Sequence, residues 1–258
     1  MARKRISGSD FEHVMWLLER RTDLGPPLRL IRFIYGEIED YVARHALNRL
    51  AKSGKLAASK HGRTTYYEPK SLLHDEIVAR KRELQSRPWN GRWCVLTYDI
   101  PAKATVTRKL LVRLLHRAGM GLLCGSSWAS PYDWADLITE RAEAIGASQH
   151  LVWALDAELD KQTASPESVA RIWHLDKLVR RYGRIIEECK LITPARADTT
   201  AAKQAASRRA CRAARMWAAL QEDDPMLPAA LLPPDWPSMR AERSISITRE
   251  RIRELAEA

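Results

Sequence analysis

A strand–helix–strand pattern in residues 89–132 constrains the fold of this chain more than any other stretch. The apolar run Trp93–Tyr98 is followed by Asp-Ile-Pro, which predicts a buried strand that ends before a proline. Leucines at helical spacing, with basic residues on the other faces, predict a helix over residues 105–118. Gly119 ends that helix, and the apolar run 122–128 predicts a single second strand.

The following residues continue the same kind of unit. Residues 134–144 have the pattern of a helix, and residues 148–156 have the pattern of a strand. Alternating strands and helices over so short a stretch are typical of the split βαβ, or ferredoxin-like, arrangement. We therefore predict a small α/β domain in the middle of the chain.

The first 70 residues predict three helices followed by a basic hairpin. Ser9 and Glu12 form a capping box that opens the first helix. The second helix is predicted over residues 28–35, and the third runs from the acidic residues after position 36 to about Ser53. Two β-prone pieces then flank a Lys-His-Gly-Arg tip, which predicts a hairpin over residues 56–67. This order is typical of the winged helix-turn-helix.

In that fold the third helix enters the major groove of DNA, and basic side chains of the hairpin, or wing, can contact phosphates. The polar side of the third helix and the tip of the wing therefore supply our candidate DNA contacts. These are Arg44, His45, Asn48 and Lys52 on the helix, and Lys60 and Arg63 in the wing. The alternative is a helical packing module with a solvated hairpin, in which His45 is an ordinary surface residue.

The charge of the chain bears on its partners. The 258 residues carry a formal net charge of +11, which is typical both of nucleic-acid-binding proteins and of proteins with a merely basic surface. No apolar run approaches the roughly 18 residues of a membrane helix, and no apolar region of a signal peptide follows the basic N-terminus. We therefore expect a cytoplasmic protein without a membrane partner.

The four cysteines lie far apart in the sequence and form no CxxC pair. They are Cys94, Cys124, Cys189 and Cys211. This spacing does not indicate a zinc site, and we expect free, buried thiols. No cofactor is expected.

The segments that flank the middle domain are predicted to be mostly helical. Residues 72–87 form a charged helix whose mixed charges suit a solvent-facing or dimer-lining position. Ser165 and Pro166 are placed as N-cap and first residue of a helix that continues as an apolar stripe over residues 172–186. Residues 200–221 form a further helix with a basic face, either solvated or in contact with a ligand or nucleic acid. That face consists of Arg208, Arg209, Arg212 and Arg215.

The segment from Asp223 to Pro237 carries five prolines and cannot be one continuous helix. We interpret it as an ordered loop folded onto the C-terminal helices. Its predicted anchors are Leu227, Leu231, Leu232 and Trp236. A last helix is predicted to start near Ser246 or Thr248.

The predicted fold class is α+β, divided into four segments. Residues 1–70 are predicted to be a winged helix DNA-binding domain and residues 71–88 a linker helix. Residues 89–160 are predicted to be a ferredoxin-like dimerisation domain and residues 161–258 a C-terminal helical domain.

Several segments together resemble the phenylacetic acid degradation repressor (PaaX) family. GRTTYY after LNRLAKSGKL is similar to the DNA-binding part of that family. WNGRWCVLTYDIP, LLVRLLHRAGMGLLCGSSWASP and IWHLDKLVRRYGRI are similar to its middle and following segments. DDPMLPAALLPPDWP is similar to its C-terminal signature.

This resemblance implies a non-enzymatic, homodimeric bacterial repressor that binds a palindromic site on double-stranded DNA. It also implies release from DNA by an acyl-CoA thioester such as phenylacetyl-CoA. The sequence itself contains no glycine-rich phosphate-binding loop.

The middle segment has a second resemblance, to the ferredoxin-like CRISPR-associated adaptation endonucleases. In those enzymes the Asp at the end of the first strand, here Asp99, supports a metal ion at a dimer interface. This implies an alternative function, a metal-dependent nuclease. The other interpretation of Asp99 is structural, as a cap of the following turn or as the partner of a basic residue such as Arg108.

Overall fold

The computed structural model describes residues 14–15, 24–35, 38–69, 76–192 and 199–257. Their contacts separate into two compact units. The first unit contains the described residues of Met1–His74, Arg181–Ala219 and Pro237–Ala258. The second contains those of Asp75–Arg180 and Leu220–Trp236. Each unit combines segments that are distant in sequence, whereas the four predicted domains follow chain order and stay a prediction.

The first unit begins with two helices and a hairpin. Helix α1 spans Gly25–Tyr35 and helix α2 spans Asp40–Lys52. Strands β1, Leu56–His61, and β2, Thr64–Pro69, pair in antiparallel fashion. The first predicted helix lies outside the described residues except for Val14 and Met15, which are helical and fully buried. Helix α2 is therefore the third helix of the sequence prediction.

The second unit contains the mixed part of the chain. Its elements in chain order are α3 Glu76–Gln85, β3 Trp93–Tyr98, α4 Thr105–Arg117, β4 Gly121–Cys124, β5 Ser127–Ser130, α5 Ala135–Glu143 and β6 Leu151–Ala157. The strands form one sheet in the order β4-β5-β3-β6, and all neighbours are antiparallel. This element order and strand order are those of a split βαβ unit.

The single strand predicted over residues 122–128 is wrong, because the chain turns back at Gly125. Strands β4 and β5 form a hairpin in which Leu122 pairs with Trp128 and Cys124 with Ser127. Gly125 has a φ of 52°, a left-handed conformation that glycine adopts without steric cost. Because apolar residues lie on both sides of this short turn, the sequence pattern resembles one uninterrupted strand.

Four α-helices follow β6 in the part of the chain that the structure describes. They are α6 Pro166–Ile172, α7 Leu175–Lys190, α8 Thr200–Asp223 and α9 Ser238–Glu257. The predicted cap of α6 is confirmed, since the Ser165 hydroxyl accepts a hydrogen bond of 3.2 Å from the Ser168 amide. The predicted continuous stripe over residues 172–186 is wrong, because α6 ends at Ile172. His174, with a φ of 51°, separates α6 from α7.

The start predicted for the last helix is also wrong. Helix α9 begins at Ser238, eight residues before Ser246, and the Ala241 amide donates to the Pro237 carbonyl at 3.0 Å. A proline is compatible with the start of a helix, because amides at that end need no intrahelical partner. The last proline of the proline-rich segment therefore precedes a helix directly.

The core of the first unit joins distant parts of the chain. Ile31 and Ile34 of α1 and Leu47 of α2 are fully buried. They belong to the same apolar cluster as Ile192 and, from α8, Ala210, Cys211 and Ala214. Helix α9 also packs on α1. C-terminal residues thus complete the core beneath α1 and α2.

The core of the second unit lies between one face of the sheet and its helices. Its fully or almost fully buried side chains include Leu96, Leu111, Leu115, Trp128, Trp134 and Ile138. Helix α3 contributes Ile77 and Leu84 to this core, and Lys81 is fully buried as well. The expected solvent-facing position of this helix is therefore wrong for one of its faces.

The proline-rich segment is ordered, as predicted. Leu227 is buried, and the other three predicted anchors are half-buried. The Tyr132 hydroxyl donates to the Met226 carbonyl at 2.6 Å, and Gln85 of α3 donates to the Leu227 carbonyl at 3.5 Å. The sequence did not indicate that Tyr132 and Gln85 would contact this segment.

The cysteines are free thiols, as predicted. Cys94, Cys189 and Cys211 are buried, but Cys124 is exposed, so the expectation of burial is wrong for that residue. Within the described ranges, no helix has both the length and the apolar character needed to span a bilayer.

Candidate nucleic-acid interface

Helix α2 has one apolar and one polar side. Its buried residues are Ala43, Ala46, Leu47 and Leu50. The opposite side consists of the exposed residues Tyr41, Arg44, His45, Asn48, Arg49 and Lys52. Arg44, Asn48 and Lys52 follow one another at intervals of four residues, which places them along a single surface of the helix. We call these six exposed residues the α2 outer face.

The start of α2 is held in place by α1. The Arg32 guanidinium donates to the Ile38 carbonyl at 2.9 and 3.1 Å. It also forms an ion pair of 2.8 Å with Asp40, the first residue of α2. At the other end, Gly54 has a φ of 79° and follows the C-cap residue Ser53. These contacts fix where the outer face begins and ends.

The wing is a tight hairpin with a basic tip, as predicted. His61 pairs with Thr64, which leaves Gly62 and Arg63 as a two-residue turn. Gly62 has a φ of 60°, and positive φ at this position is typical of hairpin turns that match the twist of the strands. Lys60 and Arg63 are exposed. Both predicted wing cations are therefore accessible to a ligand.

A hydrogen bond joins the α2 outer face to the wing. The Tyr67 hydroxyl, on β2, donates to the side-chain carbonyl of Asn48 at 2.8 Å. Only 2% of Tyr67 is exposed. Burial raises the pKa of the Tyr67 hydroxyl, and the positive charge of Arg44 acts in the opposite direction. The helix also packs against β1, so helix and hairpin form one continuous surface.

This surface is basic. Residues 40–69 contain six Lys and Arg residues and two acidic residues, a local net charge of +4. One of the two acids, Asp40, is already paired with Arg32. All six predicted contact residues are exposed on α2 and the wing. Sequence reasoning did not select Tyr41, Arg49 or Tyr67, although the alternation of the two tyrosines in Thr-Thr-Tyr-Tyr indicates that one of them faces inward.

The basic face predicted on α8 is largely engaged in contacts within its own unit. Arg208 donates to the Ile34 carbonyl at 3.0 Å. Arg209 and Arg212 pair with Glu188 at 3.4 and 3.2 Å. Arg208, Arg212 and Arg215 are nevertheless exposed and Arg209 is half-buried, so most of this face is solvated, which is one of the two predicted alternatives.

Asp99 lies exposed just after β3. Its main-chain amide donates to the His150 carbonyl at 3.0 Å. Arg108, its expected ionic partner, donates instead to the Ile100 carbonyl at 2.5 Å. Among the residues that the structure describes, no group of three or more His, Cys, Asp or Glu side chains could hold a metal ion. The geometry therefore lends no support to a metal centre at Asp99.

A cavity of about 380 Å³ lies elsewhere, in the second unit. It is lined by Glu76, Arg80, Asp133, Asp136, Leu137 and Glu140. Glu76 also pairs with Arg141. Four carboxylates against one guanidinium in the lining repel an anionic ligand, so this cavity does not suit the phosphates of coenzyme A.

Comparison with known proteins gives matches over most of the chain. Residues 86–169 match the family model described as the PaaX protein central Cas2-like domain. Residues 173–258 match the model described as the PaaX-like protein C-terminal domain. No curated protein matches the chain.

A solved structure is also similar in fold. It is described as uncharacterized protein Rv0674 from Mycobacterium tuberculosis, with a TM-score of 0.62 and 19% sequence identity over 96% of each chain. The two family models together span residues 86–258 apart from three positions, and they agree with the resemblance carried by the sequence motifs. This chain belongs to the PaaX family and has a Cas2-like middle domain.

Proposed function

We propose that this protein is a sequence-specific DNA-binding transcriptional regulator that represses a bacterial operon, and that it is not an enzyme. The observation that carries the proposal is the continuous basic surface formed by α2 and the wing, joined through Tyr67 and Asn48. Membership of a family of repressors supports the same function. The nuclease alternative has no supporting observation in the geometry around Asp99.

Helix α2 and the wing have different roles in this proposal. Arg44, His45 and Asn48, with Lys52 one turn further, lie along the major groove, where side-chain donors and acceptors distinguish base pairs. Lys60 and Arg63 contact phosphates, which contribute affinity that depends on salt and carries no sequence information. Their exposure in the structure is compatible with these roles.

The segment roles are proposed as the sequence predicts them. Residues 1–70 bind DNA as a winged helix, and residues 71–88 link them to the middle segment. Residues 89–160 form a homodimer, and residues 161–258 form a helical domain. Strand β6 is an edge of the sheet and exposes Val152 and Leu155, which supports a partner on that side. A two-fold dimer binds a palindromic site because its symmetry matches that of the DNA.

Release from DNA is proposed to follow from linkage. A ligand that binds the non-binding arrangement of the dimer more tightly lowers its affinity for DNA. An acyl-CoA thioester is the ligand class that the family suggests. The acidic cavity beside Glu76 and Asp133 does not suit such an anion, so its binding site is to be sought on another surface. The proposed location is the cytoplasm, where such DNA and thioesters occur.

The experiment that tests this function is the selection of bound double-stranded DNA from a random pool at near-physiological salt. An inverted repeat is the expected result, and binding without sequence preference would contradict the proposal. The Arg44→Ala and Asn48→Ala variants should lose more specific than non-specific affinity. A matched control is available on α4, where Lys109 and Arg113 are also exposed. Their replacement by alanine should change neither the specific nor the non-specific affinity for DNA.

A further inference from the structure

We infer that Tyr67 is a positioning residue that fixes the orientation of the Asn48 side-chain amide and turns its Nδ2 donor towards DNA. The phenol hydroxyl holds the carbonyl end of the Asn48 side chain, and the amide end is left to face a ligand. The base that Asn48 contacts therefore offers a hydrogen-bond acceptor in the major groove, as guanine, adenine and thymine do and cytosine does not. This inference rests on the proposed function and deepens it.

The geometry gives Asn48 one favourable orientation. Tyr67 lies on β2 opposite Ala58 of β1, and its side chain is almost fully buried. A buried hydroxyl requires an acceptor for its proton, and Asn48 Oδ1 supplies it at 2.8 Å. Rotating the side-chain amide by 180° would place the Nδ2 donor at this position and leave the phenol proton without that acceptor. The buried hydroxyl thus selects one of the two amide orientations.

The protonation state of the phenol supports this assignment. Because burial raises the pKa of Tyr67, the hydroxyl remains a donor at neutral pH. The nearby Arg44 charge opposes this shift, but the effect of burial is the larger one. Asn48 itself is exposed on the α2 outer face, so its amide group is accessible to a ligand.

The consequence for recognition follows from the pattern of groups in the major groove. An asparagine that reads adenine uses both ends of its amide, with the oxygen on N6 and the nitrogen on N7. That mode stays available, because the Asn48 carbonyl oxygen has a second lone pair beside the one that Tyr67 occupies. The fixed Nδ2 donor can pair with O6 or N7 of guanine, with N7 of adenine or with O4 of thymine, whereas cytosine presents only its N4 amino group, which is another donor.

The test compares base preferences selected by the wild type and three variants. Asn48→Ala identifies the operator position that depends on this side chain. At that position the wild type should disfavour cytosine by about tenfold relative to the other three bases, the cost of placing two donors against each other. In Tyr67→Phe the amide is free to rotate, so the ratio of favoured to disfavoured bases at this position should fall towards one. Other operator positions should keep their base preferences.

Tyr66→Phe is the matched control, because it removes the same group from the adjacent residue on the opposite side of β2. It should leave the base preference at the Asn48 position unchanged. Cytosine at that position in the wild type would overturn the inference, and this readout needs no variant at Tyr67. An unchanged preference in a folded Tyr67→Phe variant, or no position that depends on Asn48, would overturn it as well.

These outcomes are distinct from a failure of the proposed function. If the wild type selects an inverted repeat but the Asn48 position behaves differently, only the donor assignment is lost. If the wild type selects no sequence at all, both the function and the inference are wrong.

Discussion

The ammonium group of Lys81 donates a hydrogen bond of 2.6 Å to the main-chain carbonyl of Asp224. It also donates to the Glu222 carbonyl at 3.0 Å. These carbonyls lie at the C-terminal end of α8, where helix carbonyls have no intrahelical partner and a positive charge is favourable. A fully buried lysine thus joins α3 to the end of α8 within the second unit.

This arrangement predicts a dependence of stability on pH. Burial lowers the pKa of Lys81 from 10.5 to about 8, although Asp224, Asp223 and Glu222 partly oppose the shift. Between these two pH values the unfolded chain binds more protons than the native state at this position, so stability from Lys81 rises as pH rises. Below pH 8 both states are protonated and the contribution is constant.

The measurement is the free energy of unfolding of the wild type and Lys81→Met from pH 7 to pH 10.5. The difference, wild type minus variant, should increase by on the order of 3 kcal/mol across this window. Subtracting the variant removes the contributions of other groups, such as the buried Cys94 thiol. An exposed lysine on α4 provides the control, because Lys109→Met should leave the pH profile unchanged. A constant difference for Lys81→Met would contradict the prediction.

The wing predicts a change in the salt dependence of DNA binding. If Lys60 and Arg63 each neutralise a phosphate, the double alanine variant should flatten the slope of log K against log salt by about 1.8, or roughly 0.9 per contact. Binding constants measured between about 50 and 200 mM salt determine the slope. The Lys109→Ala, Arg113→Ala variant changes the net charge equally and should keep the wild-type slope. Equal slopes for all three proteins would exclude the wing from the interface.

Gly121 on β4 predicts a steric effect on stability. A Cβ atom at this position would lie 2.6 Å from a ring carbon of Trp173, and it would also meet the Ile172 side chain. We expect Gly121→Ala to lower the free energy of unfolding by roughly 1–3 kcal/mol, as for other overpacked sites. A Cβ atom at Gly183 on α7 would meet no atom within 4 Å. Gly183→Ala should therefore stabilise the helix by up to about 1 kcal/mol. Chemical denaturation of both variants measures these two changes in the free energy of unfolding, which should have opposite signs.

Asp99 predicts a negative result that separates the two candidate functions. Purified protein incubated with DNA or RNA and Mg²⁺ or Mn²⁺ should show no cleavage that Asp99→Ala removes. The reason is that Asp99 is exposed and belongs to no group of metal ligands within the described part of the chain. The same variant should bind DNA as the wild type does. Cleavage that disappears with this substitution would favour the nuclease.

The sequence determined features that depend on neighbouring residues. Strand β3 has the predicted bounds, and the Ser165 cap is present. Helix α4 ends one residue earlier than predicted, and α5 is one residue shorter at each end. The polar side of α2 follows from helical periodicity, because residues four apart lie on the same surface whatever the helix packs against. The candidate DNA contacts could therefore be selected before any tertiary contact was known.

Tertiary structure decided which residues meet across the chain. The β4–β5 hairpin lies within one apolar run of the sequence. Periodicity does not distinguish one strand from two strands that are joined by a short turn. From the sequence, Lys81 is expected at the surface. In the structure its ammonium group donates to main-chain carbonyls 141 and 143 positions away. The sequence allows either end of the Asn48 amide to face outward, and only the hydrogen bond from Tyr67 fixes its orientation. Local patterns define faces, whereas packing chooses the partner of each face.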